Sequence, residues 1–235
     1  MAIKVSVVGA TGRMGRLALE LIDAANDLEL HSALDSRSDA SLSDGAEVIF
    51  EVTRFEVSQQ VVAKAIAAGQ KIVVGTSGWS AAKLAELNDL GRAAVVVIPN
   101  FSVGSMLATR FAAEAGKFFD SIEIVETHHA GKLDSPSGTA VRTAELISAN
   151  RTTPVTAPAA DQDARGQLVA GIPVHSLRLA GVSAKQDVHF GGVSELLTIS
   201  HETTSVSAYS AGILAAIRFA ADAQGLHVGL DAVFK

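Results

Sequence analysis

A β-branched run, 3-IKVSVV-8, passes at once into a glycine turn, 9-GATGRMG-15. Next comes 16-RLALELIDAA-25, with Leu17, Leu21, Ala24 and Ala25 at helical spacing, and a second run, 28-LELHSALD-35, that closes on Asp35. Strand, glycine turn, helix, strand and acid in that order make a β–α–β unit suited to a dinucleotide. Gly9 permits a tight turn off the strand. Gly12 lets a pyrophosphate approach the backbone at a helix start, where N–H groups and the dipole favour anions. Gly15 permits close helix packing against the sheet, and Asp35, twenty residues further on, stands where a carboxylate would meet the adenosine ribose hydroxyls. The GxxGxxG spacing is a variant of GxGxxG and also suits a glycine-rich turn in another α/β fold. Asp35 repels a 2′-phosphate and Arg37 attracts one, so NADH and NADPH both stay open.

The alternation continues. The runs 46-AEVIF-50, 71-KIVVGT-76 and 93-AAVVVIPN-100 read as buried strands, and 56-EVSQQVVAKAIAAG-69 and 80-SAAKLAELNDLGR-92 as amphipathic helices between them. Near-continuous apolar strands separated by helices predict a Rossmann-type, doubly wound parallel sheet. Ligands of such sheets bind beyond the carboxyl ends of the strands, which places Thr53, 75-GTSGW-79 and 98-IPNF-101 around a cofactor.

After Asn100 the pattern changes. A helix over 103–119 leads into a strand over 121–129 and a helix over 138–150, then a polar, proline-bearing loop over 151–166. Three strand-like runs follow without intervening helices: 172-IPVHSLRLAG-181, 186-QDVHFGG-192 and 194-SELLTISHET-203. Such spacing predicts antiparallel pairing and an α+β region. An apolar helix over 206–223 is expected to return to the first sheet. The expected organisation is a dinucleotide-binding domain from 1–102 and 206–235, with a substrate-binding, mixed-sheet domain of 103–205 inserted into it.

Bulk properties restrict function. With 235 residues, 48% hydrophobic and 19% charged, the chain is long enough for one large or two small cores. A net charge of −6 argues against general nucleic-acid binding, which needs a basic surface, but leaves room for a small anion in a local pocket. The chain contains no cysteine, which removes disulfides, zinc–thiolate sites and cysteine nucleophiles and fits the cytoplasm. No secretory signal or apolar run of membrane-spanning length is read, so no membrane partner is expected.

The densest chemistry lies in 126-ETHHAGKLDSPSGTA-140. Alternation along a strand sends His128 and His129 to opposite faces, which argues for different tasks. Four extended residues would hold His128 and Lys132 ~13 Å apart, and a turn at Ala130-Gly131 would bring them together. Asp134 or Ser137 can cap the next helix, Pro136 suits its entry, and Gly138 and Thr139 then sit at an anion-favouring helix start. The set comprises an imidazole that titrates near neutrality, a cation and a carboxylate pocket, and it suits a small dicarboxylate. A metal site lacks a third ligand at suitable spacing, and no GxSxG elbow marks a hydrolase. His31, His175, His189, His201 and His227 are assigned no role.

E-x-H-H-x-x-K-x-D-x-P-S-G-T-A resembles the signature of the 4-hydroxy-tetrahydrodipicolinate reductase (dihydrodipicolinate reductase) family. The agreement extends through VVGATGRMG, VVGTSG, IPNFSVG, GIPVHSLRLAG, HFGG and ELLTISHET. The resemblance implies an NADH- or NADPH-dependent reductase of lysine and diaminopimelate biosynthesis, whose substrate domain also forms a homotetramer. It implies that His128 donates a proton with Lys132 as its cationic partner, and that His129, Gly138 and Thr139 bind substrate carboxylates. Gly9, Ala10, Thr11, Gly12, Arg13, Met14, Asp35, Thr53, Gly75, Thr76, Ser77, Ile98, Pro99, Asn100 and Phe101 would surround the dinucleotide. The chain departs from the family at Ala130-Gly131, where a further basic residue is common, and at 51-EVT-53 with Arg54 and Phe55, where D-F-T and His-Pro are usual. Other readings are a related dehydrogenase of another amino-acid intermediate and a non-catalytic nucleotide sensor, which has no need of His128 and Lys132 beside the PSGT turn.

Overall fold

The computed structural model describes residues 2–87 and 90–234. By internal contacts the chain divides into two units, Met1–Val103 with Val206–Lys235, and Gly104–Ser205.

The first unit contains β1 (Ile3–Val8), α1 (Arg13–Ala24), β2 (Leu28–Leu34), β3 (Val48–Glu51), α2 (Phe55–Ala67), β4 (Lys71–Val74), α3 (Ala81–Ala85) and β5 (Ala94–Val97). The second contains α4 (Val103–Ala115), β6 (Ser121–His129), α5 (Gly138–Ala149), β7 (Gln167–Val169), β8 (Ile172–Leu179), β9 (Ala184–Gly192) and β10 (Glu195–Thr203). The chain then returns to the first unit as α6 (Ser210–Asp222) and β11 (Gly225–Val228).

Among the described residues the first sheet has six parallel strands in the order β11-β5-β4-β3-β1-β2. Every residue of β3 and β5 is buried, as expected of strands covered on both faces. Leu34, Val8, Glu51, Val74 and Val97 are register partners across five strands. The residues that follow them therefore leave the sheet along one rim.

The second sheet is mixed, in the order β10-β9-β6-β8-β7. Alternation along β6 directs Ile122 and Ile124 to one face, where they form a core with Val174, Val188 and Phe190 of the sheet and Ala140, Ala144 and Ile147 of α5.

Several elements differ from expectation. The run at 172–179 does not pair antiparallel with 186–192: β6 lies between β8 and β9, parallel to the former and antiparallel to the latter. Pairing across sequence distance overrides the local spacing that suggested a meander. The helix expected over 80–92 is described only as Ala81–Ala85, and part of that range, Asn88 and Asp89, lies outside the described residues. The helix expected over 103–119 stops at Ala115, and the next residue, Gly116, lies so close to α5 that a Cβ there would be 2.7 Å from Ile147. The final helix begins at Ser210, after a 3₁₀ turn at Val206–Tyr209. The short strands β7 and β11 carried too few residues for a pattern.

Candidate active site

The rim of the first sheet is set by backbone hydrogen bonds. Gly9 N–H and Ala10 N–H both donate to Leu34 O, at 2.9 and 3.0 Å, and Gly75 N–H donates to Glu51 O at 2.8 Å. Gly9 has φ +95°, and a Cβ there would lie 2.5 Å from Val52 O, so this turn demands glycine. A Cβ at Gly15 would lie 2.2 Å from Gly9 O, so Gly15 serves contact between α1 and the turn itself rather than with the sheet. Gly12 precedes α1 in extended conformation, and no side chain caps the helix. Thr11, Gly12 and Arg13 are exposed and Met14 half-buried, so the helix start is open to a ligand. These features fit the pyrophosphate of a dinucleotide.

Asp35 follows β2 on the same rim. Arg37 N–H donates to Asp35 Oδ1 at 2.8 Å, Ser38 Oγ donates to the same oxygen at 3.0 Å, and the Arg37 guanidinium lies 3.3 Å from Oδ2. The Arg37 amide, then the Ser38 hydroxyl, hold the Asp35 carboxyl below the usual carboxylate range.

Glu51, at the last position of β3, is fully buried. It accepts from Thr53 N–H at 2.7 Å, Thr76 Oγ at 2.8 Å and Ser58 Oγ at 2.5 Å, and also from the Thr53 hydroxyl. One carboxyl thus joins the turns after β3 and β4. Arg54 precedes α2 and is exposed, while Phe55 packs edge-on against Trp79 with ring centroids 5.6 Å apart. Ser77 and Pro99 are exposed at the rim, but Ile98 and Phe101 are core residues. Phe101 stacks on Phe50 at 5.6 Å and fills the space beside Gly75, so at Ile98 and Phe101 only the main chain is available to a ligand. Asn100 Oδ1 accepts from Ser102 N–H at 2.9 Å and fixes the turn between them.

In the second unit His128 lies near the end of β6 on the same strand face as Glu126. Its Nδ1 is 2.5 Å from Glu126 Oε2. The Glu126 carboxyl is fully buried and forms a two-pronged pair with Arg178 of β8, Nη1 to Oε2 and Nη2 to Oε1, each 3.0 Å. Ser137 N–H donates to Oε1 at 3.2 Å. Burial would raise the Glu126 carboxyl, but the hydrogen bonds from Arg178 and His128 outweigh it and hold it below its ordinary value. His128 is displaced downward, first by burial, with the Lys132 and Arg178 charges acting the same way against the pull of Glu126.

The expected turn is present. Lys132 N–H donates to His129 O at 3.0 Å, closing Ala130-Gly131, and the Lys132 ammonium pairs with Asp134 at 2.7 Å. Asp134 is therefore engaged with Lys132, while Ser137 caps α5 by accepting from Ala140 N–H at 3.3 Å. A cis peptide joins Ser135 to Pro136. His129 is exposed and alternates to the face opposite His128. Gly138 and Thr139 open α5, whose dipole favours an anion there.

Three of these residues had no assigned role in the sequence reading. Glu126 stands two positions before His128, so alternation along the strand would have put it on the same face. Glu51 was met as a departure from a motif, and only the rim register reveals its reach. Arg178 depends on β8 lying parallel to β6 with His128 as its register partner, which the expected antiparallel pairing concealed.

A parallel sheet with an uncapped glycine turn, and a second unit carrying an oriented histidine beside a lysine and a helix start, together define a Rossmann-type, nicotinamide-dependent oxidoreductase. Residues 3–101 match the family model of the dihydrodipicolinate reductase N-terminus, and residues 104–234 that of its C-terminus. The chain belongs to the dihydrodipicolinate reductase family. It is 56% identical over 237 residues to the 4-hydroxy-tetrahydrodipicolinate reductase of Clavibacter michiganensis subsp. michiganensis, covering 98% of this chain and 86% of that protein. It is 40% identical over 241 residues to the Streptomyces griseus subsp. griseus enzyme of the same name, covering 97% and 96%. Among solved structures, a dipicolinate-bound dihydrodipicolinate reductase from Paenisporosarcina sp. TG-14 is similar with a TM-score of 0.82 and 28% identity, over 98% of this chain and 99% of that one.

Proposed function

We propose that the chain reduces 4-hydroxy-tetrahydrodipicolinate to tetrahydrodipicolinate in lysine and diaminopimelate biosynthesis, using NADH or NADPH. The observation that carries the assignment of roles is the His128–Glu126 contact of 2.5 Å, which orients an imidazole next to a lysine-bearing turn and the start of α5.

When bound, NADH or NADPH would supply the hydride that C4 of the substrate ring receives once the hydroxyl has left as water. The first unit would hold the dinucleotide through the turn Gly9–Met14, Asp35, Thr53, the Gly75–Ser77 turn and the main chain at 98–101. In the second unit, His128 delivers the proton that accompanies hydride addition. Lys132 carries the charge that draws a substrate carboxylate and supports that protonation; an incoming carboxylate competes with Asp134, which is mostly exposed. Gly138 and Thr139, with His129, bind the carboxylates of the ring, as a helix start favours. One water leaves, and one hydride and one proton enter.

Assembly as a homotetramer through the second sheet is part of the same reading. On the face away from α5, Leu168, Leu177 and Leu179 are exposed, and Leu196 with Glu123, Val125, His175 and His189 lines a groove of about 410 Å³. Large apolar side chains exposed on one sheet face, interspersed with charged and polar ones such as Glu123, suit association. No described helix is long and apolar enough to cross a membrane, and the proposed site of action is the cytoplasm.

The test is loss of reduced-nicotinamide absorbance with substrate generated in place by the preceding synthase from pyruvate and aspartate semialdehyde. Synthase-dependent oxidation is expected, with His128→Ala and Lys132→Ala crippling turnover while NADH still binds. Absence of oxidation with either cofactor, from folded protein that binds dinucleotide, would overturn the assignment.

A further inference from the structure

Glu126 touches, at once, the imidazole of His128, the guanidinium of Arg178 and the start of α5. Its hydrogen bonds decide which nitrogen of His128 carries a proton. Arg178 has donors only, and it uses both carboxylate oxygens, so Glu126 is an acceptor at each. The contact at 2.5 Å is therefore Nδ1–H donating to Oε2. Neutral His128 is then the Nδ1–H form, with the lone pair on Nε2. Arg178 also reaches forward: its guanidinium donates to Asp134 O at 2.6 Å and to Lys132 O at 3.3 Å. One arginine thus ties the Lys132 turn to the strand pair that holds His128.

We propose that Glu126 and Arg178 are positioning residues for the reaction, Glu126 fixing the Nδ1–H form of His128 so that Nε2 carries the transferred proton, and Arg178 locking both Glu126 and the Lys132 turn. The inference rests on the assignment of His128 as proton donor. The charged groups facing His128 are Glu126 on its own strand, Arg178 on β8, and Lys132 with its partner Asp134 on the following turn; β9 contributes Ala184 as register partner.

The informative variant is Glu126→Gln, because the environment dictates how the amide sits. At Oε1 an NH2 would meet two donors, the Arg178 guanidinium and Ser137 N–H. At Oε2 it meets one arginine donor and His128, whose ring can change tautomer and accept. The amide nitrogen therefore takes the Oε2 place, and His128 becomes the Nε2–H form, whose Nδ1 accepts from the amide and cannot take the second proton that would make the imidazolium donor.

Histidine-selective 15N NMR reads this directly, with the His128 signals assigned by their loss in His128→Ala. The wild type is expected to show neutral His128 as Nδ1–H, and Glu126→Gln as Nε2–H. In the reductase assay Glu126→Gln is expected to lose about 10²- to 10⁴-fold in kcat, the range general acid–base catalysis spans, with NADH affinity unchanged and KM for substrate altered far less. Its alkaline loss of kcat/KM should begin at lower pH than in the wild type, since removing a negative charge disfavours protonated His128. Arg178→Lys keeps a cation against Glu126 but loses the fork, so it should retain the Nδ1–H form while KM for substrate rises. A Glu126→Gln protein that keeps the Nδ1–H form and wild-type kcat overturns the proposal, as does an Arg178→Lys protein with unchanged kinetics. The tautomer measurement needs no substrate, so it stands even where the wild type itself fails to oxidise NADH, a result that would instead remove the functional assignment.

Discussion

Glu51 at the last position of β3 and Glu126 within β6 are both fully withdrawn from solvent, and both lie beside the residues of a site. Their surroundings differ in kind. Among the described residues the partners of Glu51 are uncharged: the Thr53 amide and the hydroxyls of Thr53, Ser58 and Thr76. Glu126 is held by a guanidinium, an imidazole and one amide. Hydroxyls and an amide close to the sheet can fix two turns in place, and a dinucleotide rim needs only that. An arginine and a histidine do more, because a carboxylate between them settles the charge of one and the tautomer of the other. The first glutamate organises shape, and the second organises protons.

The largest expected effect follows from removing the cation. Arg178→Ala leaves the Glu126 charge buried with no guanidinium partner, and loss of one member of such a pair costs about 3–5 kcal/mol. Urea unfolding should show this loss, and it should shrink when Arg178→Ala is made in a Glu126→Gln background. Equal losses in both backgrounds would mean that the pair is not coupled and that the contrast with Glu51 is illusory. The corresponding change in the first unit is smaller. Glu51→Gln sets an amide donor against a shell of donors, but the hydroxyls of Ser58 and Thr76 can turn to accept, so about 1–3 kcal/mol is expected. Dinucleotide affinity should fall, because Thr53 and Thr76 lose their common anchor, while the His128 NMR signals stay in place. Movement of those signals in Glu51→Gln would break the separation between the two carboxyls.

How much of this was legible in the sequence follows the same division. The dinucleotide rim is local: 9-GATGRMG-15, Asp35 and the strand ends of an alternating β–α pattern announce it, and the register of Leu34, Val8, Glu51, Val74 and Val97 aligns them. The cluster at 126–140 was equally plain as a motif, down to a turn at Ala130-Gly131 and a cap from Asp134 or Ser137, of which the structure uses Ser137. Its organisation was not. Arg178 is fifty residues from His128 in the chain, and only a parallel β6–β8 pairing joins them, a pairing that no periodicity at 172–179 could announce. The same limit hid the core positions of Ile98 and Phe101, where an apolar side chain at a strand end reads alike whether it faces a ligand or the interior.

The proton-bearing half of the contrast is also open to pH. His128 lies below its ordinary value of about 6.5, chiefly through burial. A proton donor works only while protonated, so kcat/KM should decline as pH rises through that lowered value, beginning on the acid side of neutrality. Substrate carboxylates stabilise the imidazolium, so the decline in kcat, which reports the complex, should lie at higher pH than that in kcat/KM. Identical profiles for the two would show that bound substrate does not face His128. Glu51→Gln should leave both limbs where they are, since none of its partners is charged.

The smallest effect belongs to a third carboxyl, Asp35, which shares the rim with Glu51 but lies partly open to solvent. The Arg37 amide and the Ser38 hydroxyl hold it ionised, and the Arg37 guanidinium, almost wholly exposed, lies 3.3 Å from Oδ2. An exposed pair of this kind is screened by water and salt and contributes little to folding. Its consequence lies in recognition. Paired with Asp35, Arg37 lessens the repulsion that a 2′-phosphate would meet, and swung outward it offers that phosphate a cation. Arg37→Ala should therefore leave the unfolding midpoint unchanged and lower the NADPH-to-NADH ratio of kcat/KM several-fold, more at low ionic strength than at high. Asp35→Ala should move the ratio the other way, by weakening NADH through lost ribose contacts. If neither change alters the ratio, the discrimination resides elsewhere on the rim, and the hydroxyls ordered by Glu51 become the next residues to exchange.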